Sequence, residues 1–419
     1  MTCATPIPSA LVAPESEARL VDYRHLHAHP ELSGQEHETG AYVSAALRAS
    51  GFEVFKCGGT GVVGVLRNGE GQTVAYRADM DGLPVQENAD LEWASRATGV
   101  LDGASVPVMH ACGHDLHMVI ALGVARWFAQ SPGQWDGTLV LVFQPAEETA
   151  AGARAMVADG LWDRAPHPQV VLGQHVMPLP YGEVHIAPGA VMSQADALRV
   201  TVYGKGAHGS QPEHGIDPIV LGAMMITRLQ TVVSREMSPR DAVVLTVGTF
   251  RGGLKENVIP DVAEFTVNLR TFSATARARA LEATDRIIRA EAKASAAPDP
   301  LIEELYAFPL CDNDPIWAER IAGAIAASSL ALSVVHAEPR MSSEDVAVLG
   351  AAVGAPTVYW FLGGSDTAEI AAGVAPVNHS ASFVPDPDRT IDTGVSAAVA
   401  AIRYALLPST SPSASTKGS

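Results

Sequence analysis

From about Glu15 to Pro188, strand-like and helix-like patterns alternate along the chain, and this alternation narrows the choice of fold more than any other feature. Strand patterns fall at 52-FEVFK-56, 61-GVVGVL-66, 73-TVAYRA-78, 138-TLVLVF-143 and 169-QVVLG-173. Helical patterns precede and separate them: one through Tyr42, Val43, Ala46 and Leu47 that ends near Gly51, one over 119-VIALGVARWFAQ-130 stopped by Ser131-Pro132-Gly133, and one over 151-AGARAMVADG-160. Strands that take turns with helices predict an α/β layer with a mainly parallel central sheet. At Ala187–Gln194 the character changes, and the strands and two long helices up to about residue 297 predict a small α+β sandwich inserted into the first domain. The expected organisation is a catalytic domain over 15–188 and 298–407, an inserted lid or dimerisation domain over 189–297, and a disordered Pro/Ser-rich tail over 408–419.

Charge and cysteine content limit what such a chain does. With 28 basic and 46 acidic residues the formal charge is -18, which repels phosphate backbones and anionic lipid, so nucleic acid and membrane surfaces are poor partners. The four cysteines (Cys3, Cys57, Cys112 and Cys311) form no close pair and do not make a disulfide scaffold. The first twenty residues lack a basic start followed by an apolar core, and no apolar run approaches the ~20 residues of a membrane span. A cytoplasmic location is the default expectation.

Chemistry-bearing residues gather where the strand patterns stop. Strand 73–78 runs into Asp79 and Asp81, strand 138–143 into Gln144-Pro145-Ala146-Glu147-Glu148, and strand 169–173 into Gln174-His175; Cys112 and His114 precede the 119–130 helix. In an open α/β sheet these ends line the ligand crevice. Thiolate, imidazole and carboxylate together match the ligands of zinc and similar ions. Two adjacent carboxylates repel unless a cation or proton intervenes, so Glu147-Glu148 suits one ligand and one free base, although a solvated pair at a helix N-terminus is an equally simple account. Cys112 alone reads as a small buried hydrophobe, the usual fate of a free cysteine, with a nucleophile beside His114 as the rival, although a thiol and base only two residues apart rarely align. His110 and His117 are expected to pack or bond locally, and Asp79 to orient a ligand.

The ordered segments RHLHAHPELSGQEHET, YRADMDGLPVQE, MHACGHDLHM, VFQPAEETAAGARAMVADG, GQHV, GKGAHGS, NVIPD with NLR, SSED and NHSASF carry a resemblance over about Arg24 to Ile402. The chain resembles metallopeptidase family twenty, subfamily D, the aminoacylases, hippurate hydrolases and indole-acetyl-amino-acid hydrolases. The resemblance implies two divalent ions per chain, zinc by the leaning of a thiolate ligand, with manganese, cobalt or nickel acceptable to the same cage. It implies Cys112 as a bridging thiolate, with His114, Glu148, His175 and His379 completing the ligand set and Glu147 as general base and acid. It also implies a homodimer or dimer-based oligomer through the inserted domain, in which His208 reaches the partner's active site to steady an oxyanion. Asn257 and Arg270 match positions that bind substrate carboxylate or carbonyl groups.

The activity so implied is amide hydrolysis of N-acyl amino acids or related small conjugates. Three rivals stand beside it: a dipeptidase or carboxypeptidase of the same family, a cysteine hydrolase built on Cys112, and a non-catalytic metal-dependent binder of acylated amino acids. Two segments depart from the family pattern, 211-QPEHGIDPI-219 and 360-WFLGGSD-366, and both bear on substrate identity rather than on the metal ligands.

Overall fold

The structure, a computed structural model, describes residues 16–328 and 332–407. Cys3 and the tail expected over 408–419 lie outside them. The described residues divide into two compact units, one of residues 16–189, 312–328, 332–338 and 346–407, the other of residues 190–311 and 339–345.

In chain order the first unit opens with helices α1 (Ser16–Ala28) and α2 (His37–Ala49), strands β1 (Glu53–Lys56), β2 (Val62–Asn68) and β3 (Thr73–Asp79), and helix α3 (His114–Gln130). Strands β4 (Gly137–Gln144), β5 (Val170–Pro180) and β6 (Glu183–Ile186) follow. The second unit holds β7 (Gln194–Tyr203), helix α4 (Pro218–Thr231), β8 (Val243–Gly252), β9 (Val262–Thr271), helix α5 (Ala274–Ala294) and β10 (Leu301–Phe308). The chain then returns through α6 (Pro315–Ala326), β11 (Ser333–His336), β12 (Thr357–Ser365) and α7 (Pro387–Leu406).

The first unit is built on an eight-stranded sheet in the order β1-β2-β4-β3-β5-β12-β6-β11. Its centre is parallel, through the pairs β4 with β3, β3 with β5 and β5 with β12, while β1, β2 and β6 join antiparallel to the neighbours nearer the centre. Central strands such as β12, buried along all nine residues, are apolar almost throughout because helices cover the sheet. The core joins Tyr76, Leu141, Phe143, Leu172, Trp360 and Leu362 of the sheet to Leu116, Ile120 and Phe128 of α3 and to Val395 and Ile402 of α7. The mixed α/β architecture expected from the alternation is what the chain adopts.

The second unit is a four-stranded antiparallel sheet, β8-β9-β7-β10, with α4 and α5 packed on it around Phe265, Val267, Met225, Leu229, Ile287 and Ile288. Three local expectations need correction. The second unit continues past residue 297 to 311, because 301-LIEELYAF-308 adds a strand to β7 rather than linking back. Helix α3 begins at His114 and not at 119, since Gly113 takes a left-handed backbone (φ 81°) that starts the helix. Strand β5 runs on to Pro180 because β12 pairs with it throughout, which puts His175 inside a strand. Among the described residues no helix is long and apolar enough to cross a membrane.

Candidate metal centre

Backbone geometry fixes the loop that carries Cys112. A side chain at Gly113 would meet Val176 Cγ1 at 2.4 Å, and its φ lies in the left-handed region, so only glycine lets the chain turn there between Cys112 and His114. His114 then occupies the first position of α3, fully buried, and His117 stands one turn further along the same helix.

The Pro145–Glu148 turn is braced from outside. Glu36, wholly buried, accepts the Ala146 N–H at 2.8 Å, the Gly34 N–H at 2.9 Å and the Thr60 hydroxyl at 2.5 Å. Ala146 has φ 48°, a conformation an alanine holds only when its surroundings impose it. Glu148 is fixed by its own N–H, which donates to Asp81 Oδ2 at 3.0 Å.

Two groups of donors meet at one sulfur. Ligand atoms of Cys112, His114 and His175 lie within 4.8 Å of one another, and so do those of Cys112, Glu148 and His379. Cys112 Sγ is 3.4 Å from His175 Nε2 and 3.2 Å from His379 Nε2. Glu148 Oε1 is 3.4 Å from His379 Nε2 and 3.8 Å from His114 Nε2. Glu147 joins a third group with His114 and Glu148. His379 adopts φ 68° and donates its backbone N–H to the Ala111 carbonyl at 2.8 Å, which locks it beside the Cys112 loop although it stands 267 positions after Cys112.

The histidines are poised differently. His175 Nδ1 is 2.7 Å from the Val176 carbonyl, which only accepts, so Nδ1 carries the proton and Nε2 presents a lone pair to Cys112. Burial, then the neighbouring His117 and His114, hold its imidazole well below its ordinary pKa, in the neutral form a ligand needs. At His114 burial pulls the pKa down, but Asp79, Asp81 and Glu148 outweigh it and push it up to about 10. That pocket selects for positive charge. Asp81 Oδ1 sits 3.3 Å from His114 Nδ1 and orients the ring. Asp79, the expected orienting group, takes Arg77 Nη1 at 2.6 Å and the Nδ1 of His117, and its Oδ2 stands 3.7 Å from His114 Nε2.

These donors fit a divalent metal pair. Nε2 of His114 and Oε1 of Glu148 are buried without a hydrogen-bond partner, an arrangement that costs about 1–3 kcal/mol for each orphaned polar atom unless something binds there. Burial, then Glu148, Glu147 and Asp79, push the Cys112 thiol well above its ordinary pKa. A thiolate at that spot therefore needs a cation beside it. The same field weighs against a metal-free nucleophile, which requires a depressed pKa. Cys112 is the residue common to these two groups, and its sulfur would be available to both ions.

The remaining sequence candidates lie in the second unit. His208 belongs to a two-residue strand paired with Val258–Ile259, and Asn257 is next to it, its carbonyl accepting the Gly209 N–H at 2.8 Å. His208 Nδ1 accepts the Ser210 N–H at 3.1 Å, which leaves the ring proton on an exposed Nε2. Arg270 lies on β9. It is half-buried, with Nη1 donating to the Met341 carbonyl at 2.6 Å and Nε to Asn268 Oδ1 at 2.9 Å.

Sequence reasoning missed Glu36 and Asn378 and gave His117 no specific part. Asn378 Nδ2 donates to the Val176 carbonyl at 3.2 Å and reaches the Cys112 carbonyl at 3.5 Å, tying the turn that carries His379 to both other ligand segments. Its only signal was adjacency to His379.

Residues 75–403 match the family described as Peptidase family M20/M25/M40. The chain is 34% identical over 373 residues to thermostable carboxypeptidase 2 of Saccharolobus solfataricus, spanning 87% of this chain and 90% of that one. It is 39% identical over 278 residues, 65% of this chain and 72% of the other, to an N-acyl-L-amino acid amidohydrolase of Geobacillus stearothermophilus. A solved Bacillus subtilis structure, described as a dinuclear metal-binding peptidase from the M20 family, aligns with a TM-score of 0.75 at 28% identity, over 94% of this chain and 99% of that one. The chain belongs to Peptidase family M20/M25/M40, a family of hydrolases.

Proposed function

We propose that the protein hydrolyses the amide bond of N-acyl amino acids or closely related small conjugates, with Cys112, His114, Glu148, His175 and His379 holding two divalent ions. The observation that carries this reading is the pair of donor groups sharing Cys112 Sγ, with the further carboxylate of Glu147 in reach of His114 and Glu148. Bound ions of this kind supply Lewis-acid charge that polarises an amide carbonyl and makes water nucleophilic near neutral pH.

The protein's own groups handle the protons. Glu147 takes a proton from the attacking water as the new C–O bond forms, and returns it to the nitrogen as the C–N bond breaks. Cys112, His114, Glu148, His175 and His379 would hold the ions and take no part in the proton transfer. His208 of a second copy donates its Nε2–H to the carbonyl oxygen as that atom gains charge. Asn257, beside His208, and Arg270 are proposed to meet the substrate's carboxylate or carbonyl groups.

The names of relatives support the substrate class, since an N-acyl-L-amino acid amidohydrolase and a carboxypeptidase both release an amino acid from an amide. Mass-spectrometric product analysis of the metal-loaded protein against N-acyl amino acids and short peptides tests the reading. Free amino acid that forms with metal and stops with chelator is the expected result. Turnover indifferent to chelator, or tight stoichiometric binding without product, overturns it in favour of the cysteine hydrolase or the binding protein.

A further inference from the structure

His117 lies among the acidic and imidazole groups of the site, and its ligand atom falls within 4.8 Å of those of Asp79 and His114. By composition that trio resembles a further metal cage. The hydrogen bonds say otherwise. The Val176 N–H donates to His117 Nε2 at 2.9 Å, so that nitrogen is an acceptor and carries no proton. The proton therefore sits on Nδ1, where it is given to Asp79 Oδ1. Asp79 is held in turn by Arg77, whose Nε donates to Gln144 Oε1 at 2.9 Å. Both ring nitrogens of His117 are spent, and neither is left for an ion.

The position of Val176 explains what this achieves. Strand β3 pairs with β5 only as far as Gly173. Beyond that point the Val176 peptide is held by side chains: its N–H by His117, its carbonyl by Asn378 Nδ2 and by Nδ1 of His175. The rings of His117 and His175 meet edge to face with centroids 4.6 Å apart.

We infer that His117 is a positioning residue that fixes the Val176 peptide and thereby the tautomer and aim of His175, holding its Nε2 lone pair on Cys112. The chain Gln144–Arg77–Asp79–His117 carries that constraint from the ends of β3 and β4 to β5. The inference rests on His175 being a metal ligand, but its main test does not.

That test is nitrogen-15 NMR of the metal-free protein with labelled histidine, backed by chelator-competition measurement of metal affinity. In the wild type His175 shows a protonated Nδ1 and a bare Nε2. In His117→Ala the two tautomers mix, and affinity falls about 10- to 100-fold, the usual consequence of losing an outer partner of a metal ligand. His117→Gln, whose side-chain oxygen replaces Nε2 as acceptor for the Val176 N–H, restores the tautomer and most of the affinity. If His117→Ala does not fold, His117→Leu fills the volume, accepts nothing and carries the same expectation. A folded Ala or Leu variant with the wild-type tautomer and affinity overturns the inference, as does a Gln variant that behaves like Ala. A wild type with the fixed tautomer and no metal affinity sinks the metal reading and leaves the positioning role intact.

Discussion

Cys112 Sγ and His379 Nε2 lie 3.2 Å apart although the two residues are 267 positions apart in the chain. The contact joins the first and last pieces of a discontinuous unit, so the proposed centre exists only once the chain has returned from its insertion. Metal binding then stabilises the native fold, because an unfolded chain does not hold donors this far apart in sequence at one point. Stripping metal with chelator should lower the thermal midpoint, and adding it back should restore it. Cys112→Ser should bind fewer ions and lose most of that shift. A melting curve insensitive to chelator would sink the proposed centre.

Glu147 separates chemistry from binding. Glu147→Gln is nearly isosteric and removes only the capacity to take a proton. Metal content should stay at the wild-type level, while turnover falls by about 10²- to 10⁴-fold, the usual worth of a general acid–base group. Near wild-type turnover in that variant would assign the base elsewhere.

The thiol gives a direct contrast with the nucleophile reading. Burial and the surrounding carboxylates keep Cys112 protonated in the metal-free protein, so alkylation by iodoacetamide at pH 7 should be slow with metal removed. With metal bound, activity should survive the same treatment. Rapid modification that abolishes turnover while chelator does not would restore the cysteine hydrolase.

Much of the architecture was legible because the relevant signals are local. Strand-length apolar runs ending in acids, amides or imidazole announced the sheet and the rim where Asp79, Glu147 and His175 sit. What was not legible depended on distant geometry. His114 starts a helix because Gly113 turns left-handed against Val176, and nothing within the loop reveals Val176. His117 and Asn378 matter through one peptide of another strand. Glu36 braces the Pro145–Glu147 turn from 110 residues away. The strand Leu301–Phe308 was missed because Glu303 and Glu304 break up its apolar pattern at an exposed sheet edge.

His27 introduces a pH dependence that is separate from catalysis. It is buried between Asp115 Oδ2 at 2.7 Å and Glu87 Oε1 at 3.2 Å. Burial alone would lower its pKa, but those two carboxylates outweigh it and raise the folded value to about 10 from 6.5. A raised pKa means that the stabilisation is complete below pH 6.5 and is lost as the pH climbs through 10. Relative to His27→Gln, the wild type should lose up to about 1.4 kcal/mol of stability per pH unit across that window. Parallel denaturation curves for the two proteins from pH 6.5 to 10 would refute the charged triad.

His208 and Glu147 allow the dimer to be tested by subunit mixing. Strand β8 is an edge of the second unit's sheet, with Val244 and Phe250 exposed, and Val220 and Met224 are exposed on α4. An edge strand beside apolar helix residues favours pairing with a second copy. If His208 serves the other copy's site, His208→Ala and Glu147→Gln should each be nearly inactive yet complement each other. In a mixed dimer the site with intact Glu147 receives intact His208, so random exchange should recover roughly a quarter of wild-type turnover. A charged pair of substitutions on that face, Val244→Lys with Met224→Lys, should give a monomer by sedimentation that keeps its metal and loses about 10²-fold in rate. Mixing that recovers nothing between two well-folded dimers places His208 outside the partner's site, and a fully active monomer removes the second copy from the reaction.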